Sequence, residues 1–556
     1  MLSAVGALRE RLGDAASSFG RVFKNPNIRR VEGAWALSIF AHWAYGIALA
    51  VFAYREGGAA AVGLVGLIRF LPSAFASPFA AVLGDRFRRE RVIVSAELTR
   101  GLLLVATTLV VAVDGPPAVV YILGALVGIA YSAVRPAQAA LLPSLATTPR
   151  ELTAANVTSS TLESLGIFGG PAIGGLLLAA TSPQVVFGAT AVCFLLAAFF
   201  VGRVRVEEQP EPREARGGVV HEFAAGFVTL AREKGLRVLV LLLVAQTSVA
   251  GALNVLIVVT ALQLLDLGEE GVGFLNSAVG IGGLVGALVS AALIGRRLTT
   301  NFLFGIALWG IPIGLIGIFP DPVPALLFLA VVGLGNTLVD VSAFTLLQRT
   351  VPDEVLARAF GAVQALWVGT IGLGAIVAPV LIAALDVRGA LIATGAVLPI
   401  LAILLRTRIA QLDAVPAPER ELALLRAIDL FAPLPAPTLE SLAHALVPVR
   451  LQTGEEIFRQ GDVGDRYYII DSGEVDVLID REVVNVMEPG GYFGEIALLR
   501  DIPRTATVRA KTDVELLALD RDDFIAAVTG HAASAEAADA VVATRLGSLR
   551  PGLASV

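Results

Sequence analysis

Residues 492–510 read YFGEIALLRDIPRTATVRA. Gly494 lets the backbone turn where a side chain would clash. The residues after it, Glu495, Ile496, Ala497 and Leu498, can wind into a short helix. The free N–H groups at the start of such a helix face outward and suit an anion.

The text on either side predicts the domain around this turn. The runs EEIFRQ (455–460) and DRYYIIDSGEVDVLI (465–479) alternate apolar and polar residues. Gly461-Asp462 and Pro489-Gly490-Gly491 supply turn signals, so a small antiparallel β-roll is expected. A helical region over 421–445 precedes it, and an Ala-rich helix over about 532–549 follows. The string 492–510 resembles the phosphate-binding cassette of cyclic-nucleotide-binding domains almost letter for letter. The resemblance covers about 425–530 and includes Gly454-Glu455, Tyr468, Gly473 and Asp523-Phe524. It implies a nucleotide site made of Phe493, Gly494, Glu495, Ile496, Ala497, Leu498, Arg504, Thr505 and Ala506. In that resemblance Arg504 holds the cyclic phosphate, a charge-assisted bond worth about 1.5–3 kcal/mol. Glu495 accepts from the ribose 2′-hydroxyl. Thr505 stands where relatives carry Ala or Thr. Its hydroxyl can meet a guanine amino group, which leans toward cGMP and leaves cAMP open. Val541, Val542 and Arg545 are candidate lid residues over the base.

Upstream the character of the chain changes. Of 556 residues, 56% are hydrophobic and 16% charged, with a net charge of −6. Soluble domains carry about 25% charged residues. The mean hydropathy of +0.77 points to a membrane protein. Four His and one Cys leave little for a metal cage or a disulfide framework, and no metal site is expected. Cys193 sits in an apolar run and reads as packing. The modest net charge gives no reason to expect a nucleic-acid partner. The first thirty residues lack the short apolar core and small-residue cleavage site of a leader.

Twelve apolar segments follow: about 33–54, 61–83, 92–113, 118–140, 155–180, 184–204, 237–264, 271–294, 301–319, 323–347, 360–384 and 388–406. Each is near the ~20 residues that cross a hydrocarbon core. Basic residues gather in alternate loops. GDRFRRER (84–91) follows span 2, Arg296 and Arg297 follow span 8, and Arg349 and Arg358 follow span 10. The connection between spans 6 and 7 adds Arg203, Arg205, Arg213, Arg216, Arg232 and Lys234, whereas the opposite loops hold only Arg55 and Arg388. The positive-inside rule then puts both termini, and the tail domain, in the cytosol of a cell with the chain in its inner membrane.

The halves echo each other. Residues 140–156 (ALLPSLATTPRELTAAN) resemble 345–361 (TLLQRTVPDEVLARAFG), and Pro171 and Pro379 lie 208 residues apart, close to the same offset. The loop after span 2, Ala81-Val-Leu-Gly84-Asp85-Arg86-Phe87-Arg88-Arg89, is similar to the Gly-x-x-x-Asp-Arg-x-x-Arg-Arg signature of the major facilitator superfamily, with Ala81 in place of the first Gly. The resemblance implies two six-helix bundles rocking about a midplane site. Asp85, Arg86 and Arg89 would form a cytosolic latch. Span 5 reads Gly166-Ile-Phe-Gly169-Gly170-Pro171-Ala-Ile-Gly174-Gly175, which resembles the motif of proton-coupled exporters in that family. Gly170, Pro171 and Gly174 would gate transport; the same residues also read as a close-packing seam.

The fold class expected is therefore a mostly α membrane protein, twelve transmembrane helices in the major facilitator arrangement, with a small α+β cytosolic β-roll domain. The divisions are 1–30 cytosolic segment, 31–204 first bundle, 205–236 connection, 237–408 second bundle, 409–420 linker with AVPAPER (414–420), and 421–550 nucleotide domain. Ionisable residues within spans are costly and mark function. The candidates are His42, Arg69, Glu97, Arg100, Arg135, Glu163 and Asp340. Glu97 and Arg100, spaced i, i+3, can pair with each other. Glu163, near the start of span 5, or Asp340 in span 10 would carry the coupling proton, with Arg135 and His42 nearby; a static ion pair is the competing reading. Trp35, Trp43, Trp309 and Trp367 suit either a drug-sized cavity or interfacial anchors. The function expected is a secondary, proton-coupled exporter of a small molecule, regulated by cAMP or cGMP; the alternative is a membrane sensor that transports nothing. No nucleophile–base pair, metal cluster or nucleotide-triphosphate loop speaks for an enzyme, and no carbonyl filter speaks for a channel.

Overall fold

The structure, a computed structural model, describes residues 25–146, 148–205, 227, 234–292, 298–350, 353–410, 419–434, 436–529, 534 and 536–542. The chain divides into two compact units, Met1–Ala414 and Val415–Val556. Most of the 205–236 connection, most of the 409–420 linker, the Arg296–Arg297 pair and Arg545 lie outside the described residues.

The first unit is helical. In order it contains α1 (Pro26–Arg86), α2 (Arg89–Ala112), α3 (Pro117–Tyr131), α4 (Val134–Leu145), α5 (Pro149–Ala180), α6 (Pro183–Gly202), α7 (Lys234–Val259), α8 (Gly268–Ala292), α9 (Leu298–Ile318), α10 (Pro322–Thr350) and α11 (Asp353–Ala410). In hydrocarbon every backbone N–H must be satisfied within its own segment, so apolar runs of this length become helices. Among the described residues, ten helices are long and apolar enough to cross a membrane. Two of these spans, Pro26–Ser77 and Phe360–Arg408, have 52 and 49 residues. At 1.5 Å per residue each would be about 75 Å long, over twice the ~30 Å core. Both are broken. Gly57 and Gly58 leave helical geometry in α1, with Gly58 at φ 61°. Asp386 does so in α11 at φ 62°, and its Oδ1 accepts from Gly389 N at 2.8 Å, capping the next limb. The breaks fall between expected spans 1 and 2, and 11 and 12.

Span 4 is interrupted at Ser132–Ala133, between α3 and α4. Span 5 begins earlier than the hydropathy suggests. Thr148 caps α5 by accepting from Glu151 N at 3.2 Å, and Pro149 opens the helix. Glu163 therefore sits at mid-helix and not near the start. The outer surface keeps Leu109, Ile122, Phe304 and Leu404 exposed, as an apolar solvent allows.

Glycines set the closest approaches. A Cβ at Gly273 on α8 would lie 2.5 Å from Pro171 O on α5, and one at Gly63 on α1 would lie 2.7 Å from Ala375 O on α11. Arg55, just before the α1 break, pairs with Glu269 at the start of α8 at 2.5 Å. These contacts join the first half of the unit to the second.

The second unit opens with α12 (Glu419–Arg426) and α13 (Ala436–Ala445). The single helical region expected over 421–445 is thus two short helices joined by turns. Eight strands follow: β1 (Val447–Leu451), β2 (Glu456–Phe458), β3 (Arg466–Ser472), β4 (Val475–Ile479), β5 (Glu482–Met487), β6 (Tyr492–Phe493), β7 (Thr507–Ala510) and β8 (Val514–Asp520), with α14 (Glu495–Arg500) after β6 and α15 (Arg521–Thr529) after β8. They form two antiparallel sheets ordered β1-β8-β3-β6 and β2-β7-β4-β5. Side chains alternate across β3. Tyr467 joins the core beneath the helices with Phe431 and Phe524, while Tyr468 joins the core between the sheets with Phe493 and Val508. Both cores belong to this unit alone.

Candidate functional site

The stretch 492–510 runs β6, α14, a return loop, β7. Gly494 caps α14 in the left-handed region at φ 96°. A Cβ there would lie 2.7 Å from Arg504 Nη1 and 2.9 Å from Arg466 O, so glycine is required twice over. Asp501, also left-handed at φ 53°, ends the helix. The loop then returns Arg504 to the same corner. Its backbone is clamped by the turn the sequence singled out: Arg504 N donates to Asp462 O at 2.8 Å and Gly461 N donates to Arg504 O at 2.9 Å.

The Arg504 side chain is 1% exposed. Nη1 donates to Gly494 O at 3.1 Å, and Nη2 donates to Arg466 O at 2.7 Å and to Asp465 Oδ1 at 3.2 Å. Phe458 lies under the guanidinium at 4.1 Å. Nε has no hydrogen-bond partner among the described residues. Burial pulls the guanidinium pKa down, and Tyr468 and Asp465 pull it back up. Burial raises the Tyr468 hydroxyl, as does Asp465, while Arg504 lowers it. Asp465 is 72% exposed, so its charge is screened. The corner thus holds a buried cation with one screened carboxylate paired to it, and the buried Glu495 acts on it as well.

An open cleft with about 700 Å³ of empty space lies beside it. Phe493, Gly494, Glu495, Ile496, Ala497, Arg504, Thr505 and Ala506 border the cleft. Leu498 does not; it turns inward to the core beneath the helices. A six-residue helix has two sides, and the side opposite the cleft must pack. Phe458, Val477, Asn485 and Met487 also line the cleft. They come from β2, β4 and β5, distant in sequence, and only strand alternation could have flagged them. Glu495 is buried, and its charge acts on Arg504. Val542 is buried and Val541 packs against the core beneath the helices. Gly494→Ala is expected to cost about 1–2 kcal/mol for the left-handed residue alone. Displacing Arg504 adds to that, and a lower melting temperature with weaker nucleotide binding by the 415–556 domain would show both.

In the membrane unit Asp85 and Arg86 close α1, and their side chains lie outside the described residues. Arg89 Nη1 donates to Ala140 O at 2.7 Å, tying the start of α2 to α4. Gly170 and Gly174 pack on Trp43 and Ala44 of α1, and Pro171 on Gly273 of α8. Glu163 is paired with Arg135 at 2.6 Å. Glu97 and Arg100, both buried, pair at 3.0 Å. Asp340 lies in the other half and meets two carboxamides: Asn336 Nδ2 donates to it at 2.8 Å and Gln246 Nε2 at 3.3 Å. Trp309 Nε1 holds Asn336 Oδ1 at 2.7 Å, and Trp367 borders a small cavity beside Asp340. Gln246, Asn336 and Trp309 thus join Asp340 in one network, which the separate spans did not reveal.

Residues 34–367 and 272–461 match the model of the Major Facilitator Superfamily, and residues 448–531 match that of the Cyclic nucleotide-binding domain. The chain belongs to the Major Facilitator Superfamily and carries a C-terminal cyclic nucleotide-binding domain. Among solved structures it is similar to the regulatory subunit of a cAMP-independent protein kinase A from Trypanosoma brucei, a mutant bound to cAMP in the A site (32% identity, 20% of this chain and 43% of that one, TM-score 0.20). It is similar also to the regulatory domain of Toxoplasma gondii PKA with cAMP (34%, 23% and 50%, 0.21). A third is the sensor domain of the transcriptional regulator DNR from Pseudomonas aeruginosa (27%, 22% and 92%, 0.21). The chain spans half or less of the length of the first two.

Proposed function

We propose that the chain is a secondary transporter, a proton-coupled exporter of a small molecule, whose alternating-access equilibrium is biased by cAMP or cGMP held at Arg504. The observation that carries the regulatory half is the buried Arg504 guanidinium beside an open cleft, in a domain joined to a transporter fold. Cyclic phosphate would add a second anion to the side of the guanidinium that Asp465 does not cover. Counting the limbs either side of Gly57–Gly58 and of Asp386 as separate spans makes twelve, an even number that supports termini on one face, which the basic loops favour as the cytosolic face of the inner membrane.

Regulation requires that nucleotide prefer one transporter state, since equal affinity shifts nothing. Coupling of this kind is typically 1–3 kcal/mol, about 5- to 150-fold. The test is proton-driven flux by the full chain in liposomes, with cAMP or cGMP on the tail side. A change of several-fold at saturation is expected. Equal rates with and without nucleotide would remove the regulatory reading, and nucleotide binding with no flux at all would favour a sensor. Thr505 borders the cleft, and its hydroxyl suits a guanine amino group. Thr505→Ala is expected to weaken cGMP more than cAMP by about 1 kcal/mol in calorimetry; the reverse order would assign the cleft to cAMP.

A further inference from the structure

Around His42 two guanidiniums, Arg69 and Arg100, face one carboxylate, Glu97. Arg100 is well served: Nη1 donates to both Glu97 oxygens at 3.0 Å and to Ser38 Oγ at 2.9 Å. Arg69 on α1 is not. Among the described residues it has no ion pair, and its side chain's one hydrogen-bond contact is with His42. His42 stands between the two guanidiniums, Nε2 3.3 Å from Arg69 Nη2 and Nδ1 3.3 Å from Arg100 Nη2. A guanidinium only donates, and a neutral imidazole accepts at one nitrogen alone. Only one of the two contacts is therefore a hydrogen bond in either tautomer. Arg100 keeps Glu97 in both cases, whereas Arg69 has at best one neutral acceptor.

The rest of the surroundings offer no anion. The titratable groups acting on Arg69 are Tyr45, Arg100 and Tyr131, none of them a carboxylate. Tyr45 and Phe70 lie 5.4 and 5.3 Å from the guanidinium carbon, and Tyr131 stacks on His42 at 3.9 Å. Tyr45 Oη and Trp43 Nε1 are buried with no hydrogen-bond partner among the described residues. Arg69 and Arg100 against Glu97 leave one positive charge in excess, walled by aromatic rings, with two further donors unused. An unmatched arginine at this depth is costly unless something answers it.

We propose that Arg69 is the recognition point for a monoanionic substrate with a flat apolar body, of the aromatic monocarboxylate class. The carboxylate takes the Arg69 guanidinium, and the ring packs among Tyr45, Phe70 and Tyr131. This deepens the transporter reading and rests on it for the word substrate, but not for binding.

The probe is benzoate, with benzamide as its neutral isostere, titrated into the full chain in lipid nanodiscs. Trp43, 6.0 Å from the His42 ring, reports through its fluorescence. A saturable response to benzoate, none to benzamide, and an apparent Kd raised about tenfold or more in Arg69→Gln are expected. Arg69→Lys, which keeps the charge, should retain part of the response and covers the case in which Arg69→Gln fails to fold. Equal responses to benzoate and benzamide in the wild type would overturn the inference. So would a benzoate response that Arg69→Gln leaves unchanged. Liposome flux separates the two readings. Arg69-dependent benzoate binding without flux of any probe sinks the transporter alone, and proton-driven flux of another probe without a benzoate response sinks this inference alone.

Discussion

Arg504→Ala is expected to remove cyclic-nucleotide binding from the 415–556 domain, at a loss of about 2–5 kcal/mol, roughly 30-fold to several thousand-fold in Kd. The range is large because the guanidinium is shut away from water at 1% exposure, where a charge-assisted bond is little screened. Arg504 also holds the corner together. Its donors serve Gly494 O and Arg466 O, so the truncation leaves two carbonyls without them. Two measurements separate these effects. Calorimetry with cAMP and cGMP reads binding, and a melt of the nucleotide-free domain reads the corner. The fragment is a fair subject because both of its cores are its own. Arg504→Lys keeps a cation but loses the planar fork that meets Gly494 and Arg466 together, and should fall between. Affinity for both nucleotides within twofold of wild type in Arg504→Ala would end the proposal that this cleft is a nucleotide site.

The corner was legible in the sequence because its chemistry is local. Gly494, the helix and Arg504 fall within eleven residues, and each choice has one physical reason. The Gly461-Asp462 turn was visible as a turn, but its job was not. Only the fold shows that it grips the Arg504 backbone from both sides. The linear motif does not distinguish the two sides of the short helix, and Leu498 lies on the inner side that packs in the core. In the membrane, hydropathy located the spans but blurred their ends. Thr148 and Pro149 start α5 with polar text that a hydropathy window discounts, which is why Glu163 was placed too near the surface. The i, i+3 spacing of Glu97 and Arg100 did foretell their pairing. The partners of His42, and Gln246 beside Asp340, lie on other spans, tens of residues away, and no local pattern encodes them; Asn336, four residues before Asp340 on the same helix, is local. The span-5 motif suggests close packing from its small residues alone, and Gly170 and Gly174 do let α1 approach while Pro171 meets Gly273.

Asp340→Asn is expected to cut proton-driven flux by about tenfold or more while leaving substrate exchange down its own gradient. The argument is one of partners. Taking up a proton at Glu97 would leave Arg100 buried beside a neutral acid, whereas at Glu163 it would part a partly exposed Arg135 from its partner. Stripping one member of a buried pair costs about 3–5 kcal/mol. Asp340 has no such debt. Its contacts are the amides of Asn336 and Gln246, and no charged group acts on it. It can gain or lose a proton and leave no cation stranded. Beside it lies a small cavity bordered by Gln246, Thr247, Phe344 and Trp367, so a change of charge at 340 is felt by the packing of these spans. Glu163→Gln frees Arg135, which lies 5.3 Å from the Trp35 ring, and should lower protein stability more than coupling. Flux driven by a pH gradient across liposomes, against counterflow at equal pH, reads the two apart. Should Asp340→Asn keep full pH-driven flux and Glu163→Gln lose it, the proton belongs to the Arg135–Glu163 pair, and coupling in this chain runs through a salt bridge that opens and closes.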